Sequence, residues 1–337
     1  MAMSSPWVIL RASSLLHATS LPPIPRTEYA RGVVYATAAG VALGTLGPVS
    51  NIAYSAGMSS PTFAALRATI GAVVLAVLLA VGTADRVRLR ALPTRDRVLL
   101  GLTAVAQALL SLSVFAAYSA MAVAPVVAVY FCYPLLVAGA SIALGRERLT
   151  PVRALALAIA VGGLVVVVLG GSGGSGGGAA RISAIGLGLA GFAAACQATY
   201  LVASRSGFTR VPSQQATGVI LAVAAVMMWL VAVPLEVASG HVGSWLGSPT
   251  AWGAVAFAGI IGAALAKVWM LRGVRRVGGT RAAVLMLAEP VTGVLLAAIL
   301  LSQGLSVVQL AGGIAVLAGA LLAQRPAPAA ARVAARP

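Results

Sequence analysis

Charge is scarce in this chain: Asp, Glu, Lys and Arg make up 9% of its 337 residues, and only six of them are acids. Soluble domains average about 25% charge and about 45 to 50% apolar residues. A hydrophobic content of 60% and a mean hydropathy of +1.01 therefore exclude a water-soluble fold. Cysteine occurs twice, as Cys132 and Cys196, both inside apolar runs, which excludes a disulfide framework or a zinc site built on paired cysteines. Both read as buried thiols. Histidine also occurs twice, as His17 and His241, outside the apolar runs. No Ser/His pair or His metal cluster can then form within a membrane, which argues against an intramembrane hydrolase or transferase. The sequence has no Gly-x-x-x-x-Gly-Lys-Ser/Thr phosphate loop and no soluble segment that could hydrolyse ATP. No metal and no cofactor is expected, and energy for any transport would come from a gradient.

What the chain has instead is a series of apolar runs, each able to cross about 30 Å of hydrocarbon as a helix of about 20 residues. They fall near 33–53, 62–82, 98–119, 124–144, 154–170, 183–204, 214–235, 251–271, 282–301 and 306–323. The runs are continuously apolar and do not alternate at period two, so helices are expected and a barrel is not. The fold class is an all-α polytopic membrane protein with ten transmembrane helices.

The basic residues supply the orientation, because Lys and Arg collect in cytoplasmic loops. With the N-terminus inside, twenty of the 23 Lys and Arg fall on the cytoplasmic side, Arg181 alone falls outside, and Arg67 and Lys267 lie within spans. Both termini are expected in the cytoplasm and the protein in the cell's inner (plasma) membrane. The net charge of +17 is then a topology signal that also attracts anionic lipid, and nucleic acid is not expected as a partner.

A Gly/Ser tract divides the chain into two halves of five spans. The expected organisation is a disordered cytoplasmic tail over 1–31, a first five-helix repeat over 32–170, a linker over 171–181, a second repeat over 182–323 and a cytoplasmic tail over 324–337. Tyr133-Pro134 followed by Leu-Gly-Arg-Glu-Arg-Leu-Thr at 144–150 recurs, 156 residues on, as Glu289-Pro290 followed by Leu-Leu-Ser-Gln-Gly-Leu-Ser at 300–306. Five is odd, so the second copy enters the membrane from the opposite side. The halves are expected to be inverted repeats, an arrangement that puts a site near the midplane between them.

At these residues the chain resembles the EamA-type carriers of the drug/metabolite transporter superfamily. The resemblance spans 32–323 and is carried by Ser-Pro-Thr-Phe-Ala-Ala-Leu-Arg at 60–67, Pro134, the exit at 144–150, Leu-Ala-Glu-Pro at 287–290, and Gly-rich fifth and tenth spans. It implies ten helices as two repeats, export or exchange of small organic molecules, and a cavity lined by helices one to four and six to nine. Two departures stand out: Gln303 occupies the place of Glu147, and Gly44 and Cys196 stand near where the family often has an aromatic residue in the first helix of each half.

Glu289 carries the most chemistry. It lies about eight residues into its run, about 12 Å from the edge. An ionised group at that depth costs at least about 2.5 to 3.5 kcal/mol, so it must face a cavity, find a partner or take up a proton. The functional reading is a site for a proton or a substrate amine; the alternative is a structural acid that bonds the backbone freed by Pro290 or by a broken neighbouring helix. Arg67 snorkels to headgroups or makes a helix-end contact, or else anchors a substrate carboxylate or partners a neighbouring helix terminus. Lys267, placed near the cytoplasmic end of its run, reads as a snorkelling residue. Polar stripes at helical spacing add Gln107, Ser111 and Tyr118; Tyr130, Tyr133, Val137 and Ser141; and Gln197, Tyr200 and Ser204. Asn51 and Ser55 end the first run. Gly40 and Gly44 form a ridge for close packing.

The candidate binding residues for substrate or proton are thus Glu289, Arg67, Gln107, Tyr130, Tyr133, Gln197 and Tyr200, with Pro48, Pro134 and Pro290 as kinks or gating points. The expected function is secondary transport by alternating access. Its partners would be a small-molecule substrate, the lipid bilayer and a proton or other coupling ion, with a homodimer left open. A channel, or a non-transporting scaffold derived from the carrier fold, is the alternative.

Overall fold

The computed structural model describes residues 25–82, 86–120, 123–145, 150–170, 183–239, 243, 245–300 and 307–323. Glu147, Gln303, the Gly/Ser tract and the tails beyond these limits lie outside the described residues. Regular structure within them is helical: α1 Arg26–Ser55, α2 Ser60–Ala80, α3 Thr94–Ala120, α4 Val123–Tyr130 continued by Tyr133–Ala143, and α5 Pro151–Gly170. The second half gives α6 Ala184–Ser206, α7 Ser213–Ser239, α8 Pro249–Val277, α9 Gly279–Leu285 continued by Ala288–Leu300, and α10 Val307–Ala323. Eight of these are long and apolar enough to cross a membrane, and α5 and α10 are shorter apolar helices over Pro151–Val166 and Leu310–Leu322. Large apolar side chains such as Leu230, Ile299 and Ile314 point outward, where in a bilayer they meet lipid.

Three helices are interrupted, and each interruption lies within the four residues before a proline. Proline has no N–H for the carbonyl four residues back. Pro48 deprives Gly44, and α1 breaks at Thr45. Pro134 deprives Tyr130, and α4 breaks at Phe131 and Cys132; there Cys132 N turns back to Val129 O at 3.1 Å. Pro290 deprives Met286, whose carbonyl instead accepts from Glu289 N at 2.9 Å, and α9 breaks at Met286 and Leu287. By contrast, Pro234 sits inside α7 without a break.

The strongest helix pairings cross between the halves: α5 packs on α10, α3 on α6, α2 on α7, and α1 on α8. Further contacts join α2 to α8 and α3 to α7, α4 to α6 and α1 to α9, and α4 to α9. Small residues permit the closest approaches. A Cβ on Gly44 would sit 2.5 Å from Glu289 O and 2.6 Å from Thr292 Cβ, so the expected Gly40–Gly44 ridge does hold α1 against the interrupted part of α9.

Two boundaries differ from the sequence reading. Helix α1 starts at Arg26, inside the stretch expected to be a tail, and α8 runs to Val277 where its end was expected at 271. Arg272, Arg275 and Arg276 therefore belong to a helix and not to a loop. Each finds a stabilising neighbour. Arg276 Nε donates to Glu28 Oε2 at 2.9 Å, Arg272 and Arg276 both stack on Tyr35, and Arg275 donates to backbone carbonyls beyond α6. Gly278, at φ 92°, then lets the chain reverse into α9 within one residue.

Candidate functional site: a charged cavity between the halves

A cavity of about 410 Å³ lies between the halves. The second half of α1 supplies Gly44, Gly47, Ser50 and Tyr54; α2 supplies Phe63 and Arg67; α3 supplies Gln107 and Ser111; and α4 supplies Val127, Tyr130 and Phe131. From the other half come Gln197 of α6, Lys267 of α8, and Glu289, Pro290 and Gly293 of α9. The interruption of α9 is what brings Glu289 here, since the new helical segment begins at Ala288 with Glu289 in its first turn.

The three charged side chains stand in different situations. Lys267 Nζ donates to Gln107 Oε1 at 3.0 Å and lies over the Tyr200 ring at 5.5 Å from its centroid. Arg67 Nε is buried without a hydrogen-bond partner. Glu289 makes no side-chain hydrogen bond or ion pair among the described residues, although Arg67 and Lys267 line the same cavity. Gln197 Oε1 is likewise buried and unbonded. A second small void of about 20 Å³ separates Arg67, Gln107 and Lys267 from α7.

The cavity opens at the end of the molecule where α1 ends and α2 begins: Gly47 is exposed there, and Ser50 and Tyr54 are half-buried. The same end holds a second acid, Glu236 of α7, which accepts from Ser59 Oγ at 2.5 Å and Thr62 Oγ1 at 2.8 Å at the start of α2. Halfway down the same helix pair, Trp229 Nε1 donates to Thr69 Oγ1 at 2.9 Å. The opposite end is sealed. Tyr133, Tyr200, Phe208, Met286 and Leu287 are fully buried, and the Tyr133 hydroxyl donates to Ala283 O at 3.4 Å, joining α4 to α9. Arg275 of α8 donates to Phe208 O and Val211 O, each at 2.9 Å, and to Ser213 Oγ at 3.2 Å, tying α8 to the turn between α6 and α7.

Of the candidates named from sequence, Glu289, Arg67, Gln107, Tyr130 and Gln197 line the cavity, as does Pro290. Tyr133 and Tyr200 do not; both are buried in the sealed end, because the α4 interruption turns Tyr133 away from the Tyr130 face and Tyr200 lies a turn beyond Gln197. Pro48 and Pro134 mark helix breaks but are absent from the cavity wall. Asn51 and Ser55 donate to their own helix, at Gly47 O and Ile52 O. The side chain of Tyr118 lies outside the description.

Lys267 is the cavity residue that sequence reasoning missed. It lies ten residues before the end of α8, about 15 Å along the axis, and its ammonium turns into the cavity to Gln107 instead of toward the helix end. The signal that could have found it was the sustained apolar spacing through Met270, Leu271 and Val274, which are all buried. The stretch Ala258–Leu265 is π-helical, and its wider turns shift the face on which Lys267 emerges.

Apolar helices of membrane-crossing length around an interior charged cavity define a polytopic membrane protein. The model of the EamA-like transporter family matches residues 30–169 and again 184–324. The chain belongs to this family of membrane transporters, as two copies of its domain. Comparison with the curated proteins gives no match. Among solved structures, one described only as the crystal structure of a protein superposes with a TM-score of 0.70 at 24% identity, over 87% of this chain and 95% of the other. At that identity the likeness is one of fold.

Proposed function

We propose that the protein is a secondary transporter that exports or exchanges small organic metabolites or drugs by alternating access. In this reading ten helices span the inner (plasma) membrane as two inverted five-helix repeats, with both termini cytoplasmic. The observation that carries the proposal is the cavity itself: Arg67, Lys267 and Glu289 line it at the seam of the two halves, with exposed or half-buried lining toward the junction of α1 and α2 and fully buried side chains packed at the other end. The helix pairings support the repeat. Exchanging each helix for the one five places away turns α1–α8 into α6–α3, α2–α8 into α7–α3 and α4–α6 into α9–α1, all of which occur.

The sealed end supports a second conformation. Tyr200 Oη, Ser204 Oγ, Thr217 Oγ1 and Thr280 Oγ1 are buried there with no hydrogen-bond partner. A buried unsatisfied polar group costs about 1 to 3 kcal/mol. These groups recover hydration if that end opens while the other closes, which balances the two states. Arg275 and Tyr133, whose bonds join α8 and α9 to α4 and α6, are the contacts such an opening must break.

Counterflow in proteoliposomes tests the reading. A carrier exchanges labelled for unlabelled substrate, a channel only dissipates the gradient, and a scaffold does neither. Glu289→Gln keeps shape but cannot ionise. Abolished or uncoupled transport in a folded, inserted variant is the expected result; full transport with an unchanged dependence on the pH gradient would return Glu289 to a structural role.

A further inference from the structure

We infer that the cavity selects an organic monoanion, a carboxylate on an apolar body, with Arg67 and Lys267 as its anion-binding pair. This inference rests on the proposed function, of which it names the substrate class. The charge balance is the first ground. Two cations and one acid face a shared space walled by apolar residues such as Leu43, Leu110, Val114 and Val127. In a medium of low dielectric an uncompensated charge is expensive. A monoanion brings the ionised site to neutrality. A zwitterion leaves the positive surplus where it was, an amine enlarges it, and a dianion overshoots.

The second ground is the state of the donors. Lys267 has spent one N–H on the neutral amide oxygen of Gln107, and Arg67 Nε is buried with nothing to donate to. Among the described residues no carboxylate pairs with either cation, although Glu289 is in the same cavity. A buried guanidinium ordinarily spends its donors on carboxylates or carbonyls. Among the described residues the Arg67 donors and the remaining N–H groups of Lys267 are unspent, and a carboxylate is the group whose two oxygens match them. Gln107 has a positioning role, because its bond to Nζ holds the ammonium at the wall of the cavity that Arg67 also lines. Glu289 limits the charge the site accepts. Sites of about 300 to 1,000 Å³ take compact organic ligands, and this one lies in that range at about 410 Å³.

The test uses the full chain in nanodiscs of zwitterionic lipid and four probes of one length: hexanoate, hexylamine, hexan-1-ol and 6-aminohexanoate. Binding is measured by calorimetry, with empty nanodiscs as the blank. Hexanoate should bind at least about tenfold more tightly than the other three, a difference of about 1.4 kcal/mol. Arg67→Gln and Lys267→Met should each weaken hexanoate about tenfold or more. Glu289→Gln, which removes the competing charge, should strengthen it. Opposite signs within one cavity cannot come from general loss of folding, and if Arg67→Gln fails to fold, Lys267→Met against Glu289→Gln gives the same contrast. Tightest binding of the amine, the alcohol or the zwitterion, no binding of hexanoate, or weakening by Glu289→Gln would overturn the inference. Hexanoate bound as stated but never exchanged in counterflow would overturn the carrier and leave this site standing; counterflow of a neutral or cationic solute alone would do the reverse.

Discussion

Lys267 Nζ and Gln107 Oε1 lie 3.0 Å apart, joining α8 of the second half to α3 of the first at the wall of the cavity. The amide is the ammonium's one hydrogen-bond partner among the described residues. Removing it strands a cation in a low-dielectric place, whereas converting it to an acid strengthens the pair. Gln107→Met is expected to lower stability by about 1 to 2 kcal/mol, and Gln107→Glu to match or exceed the parent. Thermal unfolding of the purified variants checks the order, and a Met variant as stable as the parent would remove this bond from the account.

Arg275 makes three hydrogen bonds to the turn between α6 and α7 and stacks on Phe208. Arg275→Ala should loosen the sealed end. A cysteine placed at Ala283, in a background with Cys132 and Cys196 replaced, should react with an impermeant maleimide several-fold faster from that side when Arg275 is absent. Equal rates would mean that the seal rests on the apolar packing of Tyr133 and Met286.

Gly44 faces the Glu289 carbonyl with no room for a methyl group. Gly44→Ala must push α1 away from α9, at a cost of about 1 to 3 kcal/mol. Because the displaced segment carries Glu289, transport should fall more than the loss of folded protein explains. Gly139→Ala in α4, where nothing lies within 4 Å of the added carbon and the position is outside the cavity wall, is the control and should be near neutral.

The distribution of basic residues predicts cytoplasmic termini. A reporter active only outside the cytoplasm, fused after Gln324, should stay silent; activity would invert the proposed topology and with it the side on which the cavity opens.

The helical membrane class was legible because hydrocarbon imposes long apolar runs, and Glu289 because an acid in such a run has few tolerable environments. Arg67 was legible as a charge inside an apolar run, and Gln107 and Gln197 from polar spacing on helices that stay regular around them. Lys267 was hidden for two physical reasons. Arg272, Arg275 and Arg276 look like a loop until Tyr35, Glu28 and the carbonyls beyond α6 are seen to receive them, and the π-helical stretch shifts the periodicity that would have given its face. Tyr133 and Tyr200 misled because a helix interruption and one extra turn change which end of the molecule a side chain reaches, and neither is encoded in a three- or four-residue spacing.

The cross-half pairings also bear on how the protein is made. Helices α1, α2, α3 and α4 find their main packing partners among α6, α7, α8 and α9, and α5 finds its own in α10. At about 5 to 20 residues per second, the chain from the end of α5 to the end of α10 takes roughly 8 to 30 s to synthesise. Throughout that interval the first half lacks its packing partners, and Arg67 and Gln107 lack the surfaces that later enclose them. Nascent protein is therefore most exposed to membrane proteases and insertion chaperones while it is half made, and a substitution that weakens the seam is expected to reduce yield before it reduces activity.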